Sequence, residues 1–183
     1  LHKTDYDYDD LQAKQAFHHS LSSWLPYFGA PVAPADAVDT YAFRSALAPM
    51  TALGYDLRRR DIDWRPLKEL TEEWRCVFGT GCFYGDYYPL TTHNRQLDRW
   101  IAWQFNRPEQ GDGTIQAFRR EECDEPAKSF RLGGLDLIAQ YDVRNLDVDG
   151  STRISGKDLM ENGLAVEITD KPGAAVILYQ RVG

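Results

Sequence analysis

The chain has no long apolar run: no stretch approaches the roughly 20 residues a membrane-spanning helix needs, and charges recur throughout. A membrane protein is therefore not expected. Basic residues are also in deficit, with 21 lysines and arginines against 28 aspartates and glutamates for a net charge of -7. Such a surface repels a phosphate backbone, so nucleic acid is excluded as a partner. Cysteine is scarce, with Cys76, Cys82 and Cys123 lacking CxxC spacing. An odd set of three supports neither a disulfide framework nor a zinc site and reads as free thiols in a reducing, cytoplasmic compartment. There is no signal peptide, no internal repeat and no low-complexity linker, and the first residue is Leu1. These absences suggest part of a larger soluble protein. What is present is 43% hydrophobic and 13% aromatic residues over 183 positions, enough to bury a real core in one or two domains.

Helices and short strands alternate over the first half. Leu11, Phe17, Leu21, Trp24 and Leu25 recur at helical spacing behind a cap at Asp9 or Asp10, and Pro26 ends the run. A second helix is predicted over roughly residues 38–47, followed by an apolar segment around Leu53, Tyr55 and Leu57 that suits a short strand. A third begins near Asp63 with Pro66 in its first turn, repeats Leu67, Leu70 and Trp74, and stops at Gly79 or Gly81. From about Arg99 the pattern changes to strands: RWIAWQF and TIQAFRR flank PEQGDG, and SFRL, QYDVRN, TRIS, AVEIT and AAVILYQ follow between glycine, proline and aspartate turns. SGKDLMENG alone reads as a helix, capped by Ser155 and stopped at Gly163. The expected fold is α/β followed by an all-β antiparallel sandwich, with the boundary at roughly residues 91–98.

Several clusters carry candidate chemistry. The opening TDYDYDD mixes carboxylates and aromatic faces as a sugar site does, but from composition alone a solvated acidic loop leading to a helix cap is the preferred reading. FYGDYYPL could be a stacking platform for carbohydrate, but its place at the change of pattern favours a packed seam between the two halves, with Asp86 bonded to backbone or a tyrosine hydroxyl. His18 and His19 point about 100° apart on a helix and so do not form an i, i+4 metal pair. DVDG at Asp147 lacks the further ligands of a calcium loop and reads as a turn, and Arg58 to Arg60 read as a solvated or ion-paired loop. No motif calls for a metal or a cofactor.

Taken in order, TDYDYDD, KQAFHHSLSSWLPYFG, TYAFRSALAP, LGYDLRRRDID, EEWR, YGDYYPLT, WIAWQFNRPEQGDGTIQAFRR, FRLGGLD and SGKDLMENGL resemble the melibiase-type α-galactosidases of glycoside hydrolase family 36. The resemblance covers most of the chain. It implies that residues 1–92 are the last βα units of a (β/α)8 TIM barrel and residues 98–183 a C-terminal antiparallel β-sandwich. It further implies retaining hydrolysis of terminal α-galactosides by two aspartates, which retention holds about 5 to 5.5 Å apart. Asp5, in Thr4-Asp5-Tyr6, matches the general acid/base; threonine stands where relatives have serine. Lys3, where relatives often have arginine, is a candidate substrate contact that keeps a donor but loses the bidentate fork. The nucleophile, in a Lys-x-Asp setting, has no counterpart here, so this chain alone should be inactive. An alternative is a carbohydrate-binding or purely structural β-module, with Trp100, Trp103 or Tyr141 stacking on sugars. Alternation places Trp100 and Ala102 on one face of their strand and Trp103 on the other. Homo-oligomerisation through the aromatic seam is a third expectation.

Overall fold

A computed structural model describes residues 10–32 and 36–183. Asp10 opens helix α1 (Leu11–Leu21), its carboxylate accepting the Ala13 N–H at 2.8 Å. The helix stops short of the predicted Pro26. Ser22 Oγ donates to the His18 carbonyl at 2.7 Å and Ser23 Oγ to that of Ser20 at 2.7 Å, so serine hydroxyls take over the last turn's acceptors. Strands β1 (Pro31–Val32) and β2 (Ala52–Leu53) are parallel and flank helix α2 (Thr40–Ser45), which starts later than predicted because Asp39 is its cap. Met50, Ala52 and Gly54 donate to the carbonyls of Phe28, Ala30 and Val32, extending the parallel ladder at both ends. Helix α3 (Arg65–Val77) has Pro66 in its first turn, where a missing N–H costs nothing, and buries Leu67, Leu70 and Val77.

The remainder is mostly antiparallel strand: β3 (Asp86–Pro89), β4 (Trp100–Arg107), β5 (Asp112–Arg119), β6 (Ala127–Phe130), β7 (Gln140–Asn145), β8 (Thr152–Ser155), β9 (Leu164–Glu167) and β10 (Gly173–Val182). Six of them form one sheet in the order β3-β4-β5-β10-β7-β8, and β6 pairs only with β9. The antiparallel sandwich that turn spacing suggested is lopsided here, a six-stranded sheet facing a two-stranded one. One face of the large sheet, carrying Trp100, Ala102, Ile115 and Ile177, is covered by the β6–β9 pair and by helix α4 (Gly156–Glu161), capped by Ser155 as expected. The opposite face, carrying Ile101, Trp103, Phe105, Phe118 and Val176, packs on Phe43, Leu47, Leu67, Leu70 and Val77 from the helical half. Helices therefore occupy the place a second sheet would take. Strand β3 lies upstream of residues 91–98 yet belongs to the sheet, and the two halves share one core. A closed barrel is not among the described residues; two short parallel strands and three helices are.

Candidate active-site region

In parallel βα units, ligand sites form at the carboxyl ends of the strands, where loops and helix N-termini converge. Lys14, in the first turn of α1 and fully buried, donates from Nζ to the Pro31 carbonyl at 2.8 Å. The start of α1 is thereby held level with the carboxyl end of β1. Asp10 is fixed there by Arg95, 2.6 Å from its second oxygen. The loop after β2 is tied to the loop after β1 by Arg59, which bonds Asp36 at 2.8 Å and Asp61 at 2.5 Å. Arg58 forks onto Asp56, and buried Tyr55 meets Trp64 edge-on with ring centroids 5.7 Å apart.

The arrangement decides what these groups can do. The Arg58 guanidinium holds the Asp56 carboxyl below its usual range, and Arg59 does the same for Asp61. Burial, reinforced by Asp39, raises the Tyr55 phenol. Carboxylates pinned in ionised form are poor proton donors. They form an exposed, ion-paired rim.

Asp5 and Lys3 lie outside the described residues, as do Tyr6, Asp7, Tyr8 and Asp9. Of the acidic opening, Asp10 is a cap and an ion-pair partner, as the bland reading had it. FYGDYYPL divides between its two readings. Tyr87 is seam: its hydroxyl donates to the His19 carbonyl at 2.6 Å and its ring lies 5.6 Å from Phe105. Tyr88 packs so closely on Gly133 and Gly134 that a Cβ at Gly133 would fall 2.2 Å from its ring, which explains the paired glycines of FRLGGLD. Tyr84 is 76% exposed, and Asp86 is exposed rather than bonded within the seam. Trp100, Trp103 and Tyr141 are all buried, so none is free to stack on a sugar as the binding-module alternative required. His18 and His19 are buried structural residues. Arg58 and Arg59 are ion-paired as expected.

Three buried arginines were missed: Arg119 donates to the carbonyls of Cys123, Ile168 and Thr169, and the other two tie separate elements together. Arg44 on α2 makes bidentate bonds with Glu73 of α3 and with Asp147 of the DVDG turn, all between 2.7 and 2.9 Å, and a further bond to the Ala174 carbonyl at 2.7 Å. Burial opposes its charge, but the bonds to Asp147 and Glu73 outweigh that and raise its pKa. Arg120, just past the end of β5, bonds no carboxylate among the described residues. It donates to Gln15 Oε1 at 3.0 Å, Asn94 Oδ1 at 2.7 Å and the carbonyls of Asn94 and Gln96, while Gln15 reaches Tyr41 and Ser45. This network fastens α1, and so the start of the candidate region, to the sheet. The only sequence signal was a polar residue amid apolar neighbours, as in AFRSAL, which does not name its partner.

No family description matches this chain, and no curated protein matches it in sequence. Solved structures do match in fold. The galactosidase domain of the α-galactosidase-sucrose kinase AgaSK superposes with a TM-score of 0.71 at 19% identity, over 94% of this chain and 25% of that one. A variant of the GH36 α-galactosidase AgaA from Geobacillus stearothermophilus, solved in complex with raffinose, gives 0.70 at 17% identity, over 94% and 25%. The α-galactosidase from Lactobacillus brevis gives 0.63 at 15% identity, over 86% and 23%. At these identities the likeness is one of fold, and the chain spans about a quarter of the length of those structures.

Proposed function

We propose that this chain is the C-terminal portion of a retaining α-galactosidase of the glycoside hydrolase family 36 type, supplying the general acid/base but not the nucleophile. The observation that carries the reading is the match in fold over 94% of the chain to about a quarter of α-galactosidase structures, together with the order of elements. Residues 1–92 are then the last βα units of a TIM barrel, represented by β1-α2-β2-α3, and residues 98–183 the C-terminal β-domain. Asp5 precedes α1, whose start sits level with the carboxyl end of β1, the end where barrel chemistry takes place.

In this reading Asp5 protonates the leaving glycosidic oxygen while a carboxylate from another segment attacks the anomeric carbon; Asp5 then activates the water that releases the sugar. Lys3 donates to a sugar hydroxyl. The substrate is an oligosaccharide ending in an α-galactoside, raffinose being the one bound in an AgaA structure. A cytoplasmic location and a homo-oligomer belong to the same proposal; no helix among the described residues is long and apolar enough to cross a membrane. Asp5→Asn in the full-length protein is expected to abolish turnover of raffinose while sparing the first step with an activated aryl α-galactoside, whose leaving group needs no proton. Equal retention of activity on both substrates removes Asp5 from the mechanism.

A further inference from the structure

The helices cover the inner face of the large sheet only in part. Past the last turn of α3, strands β4, β5, β10 and β7 form the floor of a cleft of about 350 Å3, walled by Cys76, Val77 and Thr80. That volume sits at the low end of small-molecule sites, about 300 to 1,000 Å3. Thr114 alternates with Ile115 and so points into this face beside Leu178, its partner across β10. Its hydroxyl is buried and has no hydrogen-bond partner among the described residues. Such a group is costly unless something that enters the cleft satisfies it. Arg107 forks onto Asp112 at 2.5 and 2.7 Å, leaving further acceptor capacity on the carboxylate. Arg144 lines the same cleft, exposed and with no carboxylate partner among the described residues.

An aromatic stripe leads to this cleft. A side chain at Gly81 would lie 3.4 Å from the Tyr84 ring and 4.0 Å from Arg107 Nη1, so Tyr84 stands at the cleft's lip. The Tyr84 and Phe83 rings lie 4.2 Å apart, and Tyr27 continues the row 6.3 Å from Phe83. The stripe and cleft sit at the C-terminal end of α3. That helix runs away from the carboxyl end of β2, so the feature lies at the far end from the candidate active-site region.

We propose that the stripe and cleft form a second, non-catalytic site for a neutral oligosaccharide. One sugar ring lies on Tyr84 with its apolar C–H face, and the next places hydroxyls against the Arg107–Asp112 pair, Arg144 and Thr114. An anionic ligand fits less well: Asp112 already neutralises Arg107, Asp142 shares the wall, and the C-terminal end of a helix disfavours negative charge. The inference goes beyond the catalytic proposal and needs neither Asp5 nor turnover.

The test is an NMR titration of the 183-residue chain with raffinose. Saturable shifts are expected at the amides of Gly81, Tyr84 and Thr114. Tyr84→Ala should weaken binding roughly tenfold with the fold intact. Thr114→Val should weaken it several-fold while raising the melting temperature, because it removes an unsatisfied buried hydroxyl. Asp5→Asn should change neither. Absence of saturable shifts at these amides, or binding that Tyr84→Ala and Thr114→Val leave untouched, overturns the inference. Loss of catalysis in the Asp5 variant, or its persistence, bears only on the catalytic proposal.

Discussion

Lowering the pH through the histidine range should destabilise this chain, and His18 should account for most of the loss. The ring is buried against Phe28, 5.4 Å away, and meets Trp103 edge-on at 6.4 Å. Burial, with the like charge of Lys14 one turn earlier, holds its pKa at about 3 against 6.5 for an exposed imidazole. The sign follows from linkage. As pH falls below 6.5 the unfolded chain takes up the proton first, so stability is complete above 6.5 and is lost progressively toward 3. At pH 5 the unfolded state gains about 1.5 pH units of protonation free energy at 1.36 kcal/mol each, or about 2 kcal/mol. That is a substantial part of a stability of about 5 to 15 kcal/mol. His19, also lowered mainly by burial, adds to the trend with the same sign. Urea unfolding followed by tryptophan fluorescence between about pH 7.5 and 5 measures the slope. His18→Gln, which cannot titrate, should be less stable at neutral pH but should lose about 2 kcal/mol less on acidification. An unchanged slope in that variant, or an NMR titration of His18 near its exposed value, refutes the reasoning.

Arg44→Met leaves Glu73 buried without its partner and should cost about 3 to 5 kcal/mol in urea unfolding. Asp147→Ala, at the exposed end of the same network, should cost about 1 kcal/mol or less, and equal losses would show that the network is not divided this way. Among the thiols, Cys76 is exposed, whereas Cys82 is buried with its pKa pushed up to about 12 by burial and Cys123 is buried. A disulfide reagent should therefore label one cysteine rapidly and the other two only as the chain unfolds; three equal rates would contradict the burial pattern.

The contrast between what was legible in the sequence and what was not follows the range of the forces involved. Helix α4 was readable almost to the residue, because Ser155 and Gly163 act on backbone within one turn. The faces of β4 were readable for the same reason, since alternation alone sends Trp100 and Trp103 opposite ways. Helix α1 was overestimated where local effects competed, the apolar spacing through Leu25 losing to Ser22 and Ser23. The pairing within the sandwich was not legible because strand content does not reveal partners. β6 and β9 pair across more than thirty intervening residues, and helices supply the layer a second sheet would have formed.

The candidate site divides along the same line. Motif order led to Asp5 and Lys3 through resemblance, and the ion pairs of Arg58 and Arg59 match one of the two readings of the basic run beside acidic residues in DLRRRDID, solvated or ion-paired. The residues that hold the region in place were invisible, because Arg120 meets Gln15 and Asn94 only after α1 has docked on the sheet. Such a fastening matters physically. A buried guanidinium without a carboxylate is tolerated only when fixed dipoles replace its hydration, and burial accordingly lowers the pKa of Arg120. The free energy that α1 gains by docking on the sheet must therefore cover the desolvation of that charge. In return the helix start has little freedom to shift, since displacing it would strand Arg120 from its acceptors. Helix α1 is thus held, from its Asp10 cap onward, by one charged and internally satisfied network.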